Sequence, residues 1–135
     1  MELGVTIILM ETGPLILVAD DEAIILKVVT IILRKAGFRV LAASCGAQAL
    51  QIAETSEEPI FLAVLDIVMP DLDGLELSIR LRGMYSDLRV LFISGYTLPP
   101  PGLPSGADFL GKPFTSDELL RRVNAVAARP VTDLG

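Results

Sequence analysis

The chain has 135 residues, of which 52% are apolar and 21% charged, with a formal net charge of −6 and no histidine. That length suits one compact domain with a single core, and the apolar fraction argues against disorder. The acidic balance is a poor match to a nucleic-acid backbone, and the missing histidine removes Ser-His-Asp triads, His-based acid–base catalysis and His metal sites.

No apolar run approaches the roughly 20 residues that span a bilayer. The longest, Val5–Met10 and Val28–Leu33, are far shorter. Met1–Gly13 has no basic n-region and carries only Glu2 and Glu11 as charges, so it does not read as a secretory signal. A cytoplasmic protein without a membrane partner is the expectation. Cys45 is the only cysteine, which fits a reducing compartment and reads as a small structural thiol.

Leu15–Ala19, after Pro14, is a continuous apolar run expected to form a buried strand. Asp20, Asp21 and Glu22 follow it directly. Ala23–Ala36 is long enough for a helix, with Gly37 as its stop. Phe38–Ala43 reads as the second strand, and Ser44 as the cap of a helix from about Gly46 to Glu54. Ile60–Leu65 is the third strand, with Asp66 at its end. Pro70–Gly74 is a loop and Leu75–Arg82 a helix. Val90–Ile93 forms a fourth strand ending at Ser94, and Phe109-Leu110 a short fifth. Thr115-Ser116-Asp117-Glu118 opens a last helix as a capping box, with Leu119, Leu120, Val123 and Val126 on its inner face. This alternation predicts a parallel sheet covered by helices on both faces.

In such a sheet, ligands bind outside the carboxyl ends of the strands. Asp20, Asp21, Asp66, Ser94 and Lys112 all fall at those ends. Three clustered carboxylates repel, by about 4 kcal/mol per pair at 4 Å and an effective dielectric near 20. Lys112 relieves part of that, and a hard divalent cation such as Mg²⁺, which prefers oxygen ligands, would relieve more. The set suits phosphoryl transfer, with an Asp66 carboxylate oxygen as nucleophile.

Four stretches resemble the bacterial response-regulator receiver family: Asp20-Asp21-Glu22, Asp66 to Gly74, Ser94-Gly95, and Gly106 to Phe114. The resemblance runs from about Pro14 to Arg129, so residues 14–129 would be the receiver, 1–13 an extra N-terminal segment and 130–135 a tail. It implies a flavodoxin-like, doubly wound sheet of five parallel strands in the order 2-1-3-4-5. It further implies that Asp66 is phosphorylated, the group coming from a histidine kinase or histidine phosphotransfer protein. Asp21 and Asp66 would bind Mg²⁺ directly, Asp20 through water, and Val68 through its carbonyl. Lys112, before a cis peptide bond to Pro113, would pair with the phosphoryl oxygens. Ser94 would hydrogen-bond the phosphoryl group, and Phe109 would be the switch aromatic that turns inward as that hydroxyl moves. Val68 and Tyr96, flanking the site, would set the lifetime of the phosphoaspartate and favour slow hydrolysis.

Two segments depart from the family pattern. Between Ser94 and Lys112, Pro99, Pro100, Pro101 and Pro104 oppose a helix, so the usual fourth helix is expected to be missing or reduced to a turn. The first helix is apolar nearly all round. With Leu26, Val29 and Leu33 facing the core, Ile25, Val28 and Ile32 would point outward. Either Leu3–Met10 folds over them, or they form a docking face for a helical phosphodonor or a second receiver.

Two other readings remain open. One is a receiver-like interaction module that is never phosphorylated, whose mark would be loss of the acidic pair or the lysine; neither is lost. The other is a Mg²⁺-dependent phosphatase, which Asp71-Leu72-Asp73-Gly74 resembles superficially. There, however, the acidic motif directly follows a strand, whereas here Met69-Pro70 intervenes. The receiver would stand alone or come from a larger protein such as a hybrid histidine kinase, which the Ser94-Gly95-Tyr96 turn resembles.

Overall fold

The computed structural model describes residues 13–130 apart from Thr97 and Ser105. The chain runs β1 (Leu15–Ala19), α1 (Ala23–Lys35), β2 (Arg39–Ala43), α2 (Gly46–Thr55), β3 (Leu62–Asp66), α3 (Gly74–Met84), β4 (Arg89–Ser94), β5 (Asp108–Gly111) and α4 (Ser116–Ala127). All strand pairs are parallel, in the expected order β2-β1-β3-β4-β5. Every residue of β1 and β3 is buried, because helices cover both faces, and this is why those strands read as unbroken apolar runs.

Successive strand residues feed two separate cores. Leu17, Ala63, Leu65 and Phe92 face α2 and α3, against Ala49, Ala53, Leu77 and Leu81. Ile16, Val18, Val64, Leu91 and Ile93 face α1 and α4, against Val29, Leu33, Leu119 and Val123. Each such fully buried Leu, Ile or Phe contributes about 1.5–3 kcal/mol, so the cores fix which residues stand at the strand ends.

Local signals set the helix ends. Thr115 Oγ1 accepts from Glu118 N and Glu118 Oε1 accepts from Thr115 N, both at 3.1 Å, which is the expected capping box. Gly37, at φ 98°, ends α1 in the left-handed region that glycine tolerates. The cap of α2 is Cys45 rather than Ser44. Its sulfur accepts from Gln48 N at 3.5 Å, while the Ser44 hydroxyl and amide donate to the Gln48 side chain. Helix α3 extends past Arg82 to Met84, and β3 starts at Leu62 rather than Ile60.

The outward face of α1 differs in part from the expectation: Val28 is exposed as expected, but Ile25 and Ile32 are not. Ile25 and Ile32 are half-buried against the core, joining Leu26, Val29 and Leu33 in an i, i+1, i+4, i+7, i+8 stripe. The exposed apolar side chains are Ile24, Val28 and Ile31, with Ile24 the most open at 78%. The buried stripe is wider than three residues, and this turns Ile24 and Ile31 toward solvent.

Among the described residues no helix joins β4 to β5. The connection is instead pinned at single points. Leu103 packs on the α2/α3 core, Ala107 N donates to Pro104 O at 3.2 Å, and Arg129 reaches the Gly106 carbonyl at 2.5 Å. No described helix is long and apolar enough to cross a membrane. Leu3–Met10 and nearly all of the expected tail lie outside the described residues.

Candidate functional site

The carboxyl ends of β1, β3, β4 and β5 converge on an open basin of about 420 Å³, lined by Asp21, Glu22, Asp66, Val68, Ser94, Gly95, Tyr96 and Lys112. Asp66 is the last residue of β3 and is 3% exposed. Its Oδ1 accepts from Val68 N at 3.2 Å, and its Oδ2 lies 3.3 Å from Lys112 Nζ. The loop behind it is tightly built: Gly74 N donates to Ile67 O at 2.8 Å, and Met69 is buried.

Asp20 is wholly buried one residue past β1. Its backbone N donates to Ala43 O at 3.1 Å, its Oδ1 accepts from Glu22 N at 2.8 Å, and its Oδ2 forms an ion pair with Lys112 at 2.9 Å. Asp21 is exposed beside it. Carboxylate oxygens of Asp20, Asp21 and Asp66 lie within 4.8 Å of one another, so one cation could touch all three.

Lys112 follows β5, and its backbone N donates to Ser94 O at 2.7 Å. The Lys112–Pro113 peptide bond is cis. Ser94 is buried at the end of β4, and its Oγ accepts from Tyr96 N at 3.4 Å. Val68 and Tyr96 stand exposed at the rim. Phe109 lies inward, buried in the α2/α3 core.

Burial pushes the Asp66 carboxyl up to about 6, and the negative charge of Asp20 adds to this. The Lys112 charge and the Val68 N–H pull the other way without overcoming it. Burial also works against the Lys112 ammonium, but its contacts with Glu22 and Asp20 outweigh that and hold it above the usual lysine range. The asymmetry has a simple source. One ammonium is shared among three carboxylates, so it gains from all of them while Asp66 receives only a share of its charge.

Three further acids, Glu22, Asp71 and Asp73, are engaged in or beside the site. Glu22 Oε1 lies 2.7 Å from Lys112 Nζ, nearer than either aspartate, across 90 residues of sequence. Its adjacency to the acidic pair was the one available signal. Asp71 accepts from Gly46 N at 3.1 Å and Ala47 N at 2.8 Å, tying the β3–α3 loop to the start of α2. Asp73 caps α3 by accepting from Glu76 N at 2.8 Å. Both acids of the Asp71-Leu72-Asp73-Gly74 stretch are thus capping groups.

Comparison with known proteins agrees with this geometry. The family model for the response regulator receiver domain matches residues 16–124. CpdR of Brucella abortus, a response regulator receiver protein, is 35% identical over 112 residues, covering 80% of this chain and 92% of CpdR. The transcriptional regulatory protein PrrA of Mycobacterium tuberculosis is 41% identical over 122 residues, covering 87% of this chain but 52% of PrrA, so the chain spans about half the length of that relative. The crystal structure of the receiver domain from the hybrid histidine kinase CckA superposes with a TM-score of 0.73 at 36% identity, over 84% of this chain and 98% of that one. With its 2-1-3-4-5 sheet and its strand-end acids and lysine, the chain belongs to the response regulator receiver domain family of two-component systems.

Proposed function

We propose that Asp66 accepts a phosphoryl group from a histidine kinase or histidine phosphotransfer protein, and that residues 14–129 form the unit that does so. The observation that carries this reading is the convergence of Asp21, Asp66, Ser94 and Lys112 on one basin at the carboxyl edge of the sheet, with the buried Asp20 paired to Lys112. The donor set fits a hard divalent cation. Asp20, Glu22 and Asp66 pair with a single lysine, and Asp20, Asp21 and Asp66 bring oxygens within 4.8 Å of one another. Asp20, Asp21 and Asp66, with the Val68 carbonyl, would hold Mg²⁺. When bound, Mg²⁺ offsets the charge between these carboxylates and incoming phosphoryl oxygens.

The chain's own groups supply the rest. An Asp66 carboxylate oxygen attacks phosphorus, the P–N bond to the donor imidazole breaks, and its electron pair leaves on that nitrogen. Lys112 pairs with the phosphoryl oxygens and Ser94 donates its hydroxyl to one of them. Phe109, already inward in the α2/α3 core, would carry a movement of Ser94 to that core. Val68 and Tyr96 crowd the rim and slow hydrolytic water. The exposed Ile24, Val28 and Ile31 stripe begins two residues beyond Glu22 and supplies an apolar seat for a helical donor.

Incubation with Mg²⁺ and acetyl phosphate tests the reading. One hydroxylamine-labile phosphate per chain is expected. Continued release of inorganic phosphate without a labelled protein would point instead to a phosphatase.

A further inference from the structure

Glu22 occupies the N-cap position of α1, yet its side chain makes no capping hydrogen bond. It crosses to Lys112 instead, at 2.7 Å. An ammonium has three donors. Here three carboxylates, Asp20 at 2.9 Å, Glu22 at 2.7 Å and Asp66 at 3.3 Å, surround it. The contacts to Glu22 and Asp66 are hydrogen bonds and the one to Asp20 is an ion pair alone, so a phosphoryl oxygen arriving at Asp66 competes with Glu22 for the ammonium.

The three partners differ in what release costs. Asp20 is fully buried and fixed by the Glu22 amide, so leaving Lys112 would strand a charge out of water. Asp66 is the reacting group itself. Glu22 keeps 59% of its side chain exposed and can return to solvent at little cost.

We propose that Glu22 is a positioning residue that holds the Lys112 ammonium in the resting site and gives it up to the phosphoryl group, so that Glu22 sets how readily the phosphorylated state forms. This rests on the reading of Asp66 as phosphoryl acceptor. Glu22 touches no reacting atom; it acts through Lys112. The competition opposes acceptance, and because the pair is largely in water, its effect is about two- to fivefold.

The test measures the half-saturating concentration of beryllofluoride, a phosphoryl mimic, at saturating Mg²⁺ on the whole chain. Glu22→Gln should lower it about two- to fivefold relative to wild type. Glu22→Asp separates lysine capture from simple charge repulsion, since it keeps the charge but shortens the reach by a methylene. It should shift in the same direction as Glu22→Gln. A Glu22→Asp value equal to wild type beside a shifted Glu22→Gln would overturn the proposal, as would two unshifted variants. If wild type itself bound no beryllofluoride, the acceptor reading and this one would fall together; a wild type that binds with both variants unchanged sinks this one alone.

Discussion

The α-carbon of Gly74 stands against the backbone carbonyl of Asp66, so a Cβ at position 74 would collide with the oxygen and carbon of that carbonyl. The first residue of α3 is thereby pressed onto the last residue of β3. The obstacle is backbone on both sides, and no rotamer change relieves it.

Gly74→Ala should therefore cost about 1–3 kcal/mol of stability, as overpacking does. It should also slow labelling of Asp66, because the displaced atoms belong to that residue. Chemical denaturation gives the first quantity and intact-mass kinetics the second. A variant of unchanged stability and unchanged labelling would show that the loop gives way freely.

Asp71 predicts a pH effect. The N–H groups of Ala47 and Gly46 hold its carboxyl below the ordinary carboxylate range. A depressed folded-state pKa stabilises above the unfolded value of about 3.9 and is lost as pH falls through the lower folded value. Asp71→Asn should thus melt below wild type at neutral pH, with the gap closing only in the acid range below about 4. A gap that stays constant into acid would assign the loss to something other than this charge.

The apolar stripe on α1 makes a separable prediction. Ile24→Glu with Ile31→Glu should leave labelling by acetyl phosphate near wild type, since neither side chain lines the basin. Transfer from a cognate phosphohistidine donor should fall by about tenfold or more, the loss of an apolar contact worth about 1.4 kcal/mol. Equal transfer rates from the protein donor would remove the stripe from the docking surface.

Val68 stands 56% exposed beside Asp66 and has no group that can orient water. Val68→Asn should shorten the life of the phosphorylated chain, measured as decay of the phosphate-bearing mass after the donor is removed. A lifetime that is already short and that does not respond to changes at Val68 or Tyr96 would contradict slow hydrolysis set at the rim.

Much of this was legible in the sequence because strands buried on both faces leave unbroken apolar runs, and the acids directly after those runs must stand at the sheet edge. Asp20, Asp66, Ser94 and Lys112 were found that way. Four prolines marked the connection in which no helix is described between β4 and β5. What failed were choices between chemically similar neighbours. Ile24 and Ile25 are the same residue type about 100° apart on a helix, and only the packing of α1 decides which turns outward. Ser44 and Cys45 can each offer a lone pair to Gln48, and one residue of register selects between them. Contacts across long sequence separations, such as Glu22 with Lys112 and Asp71 with α2, leave no periodic trace and had to come from the fold.

The central claim is that Asp66 takes the phosphoryl group, and intact-mass measurement tests it most directly. With Mg²⁺ and acetyl phosphate, wild type should gain the mass of one phosphate, peptide mapping should place it on Asp66, and Asp66→Asn should gain none. A phosphate on Asp66→Asn equal to that on wild type, or no phosphate on wild type, would contradict the account.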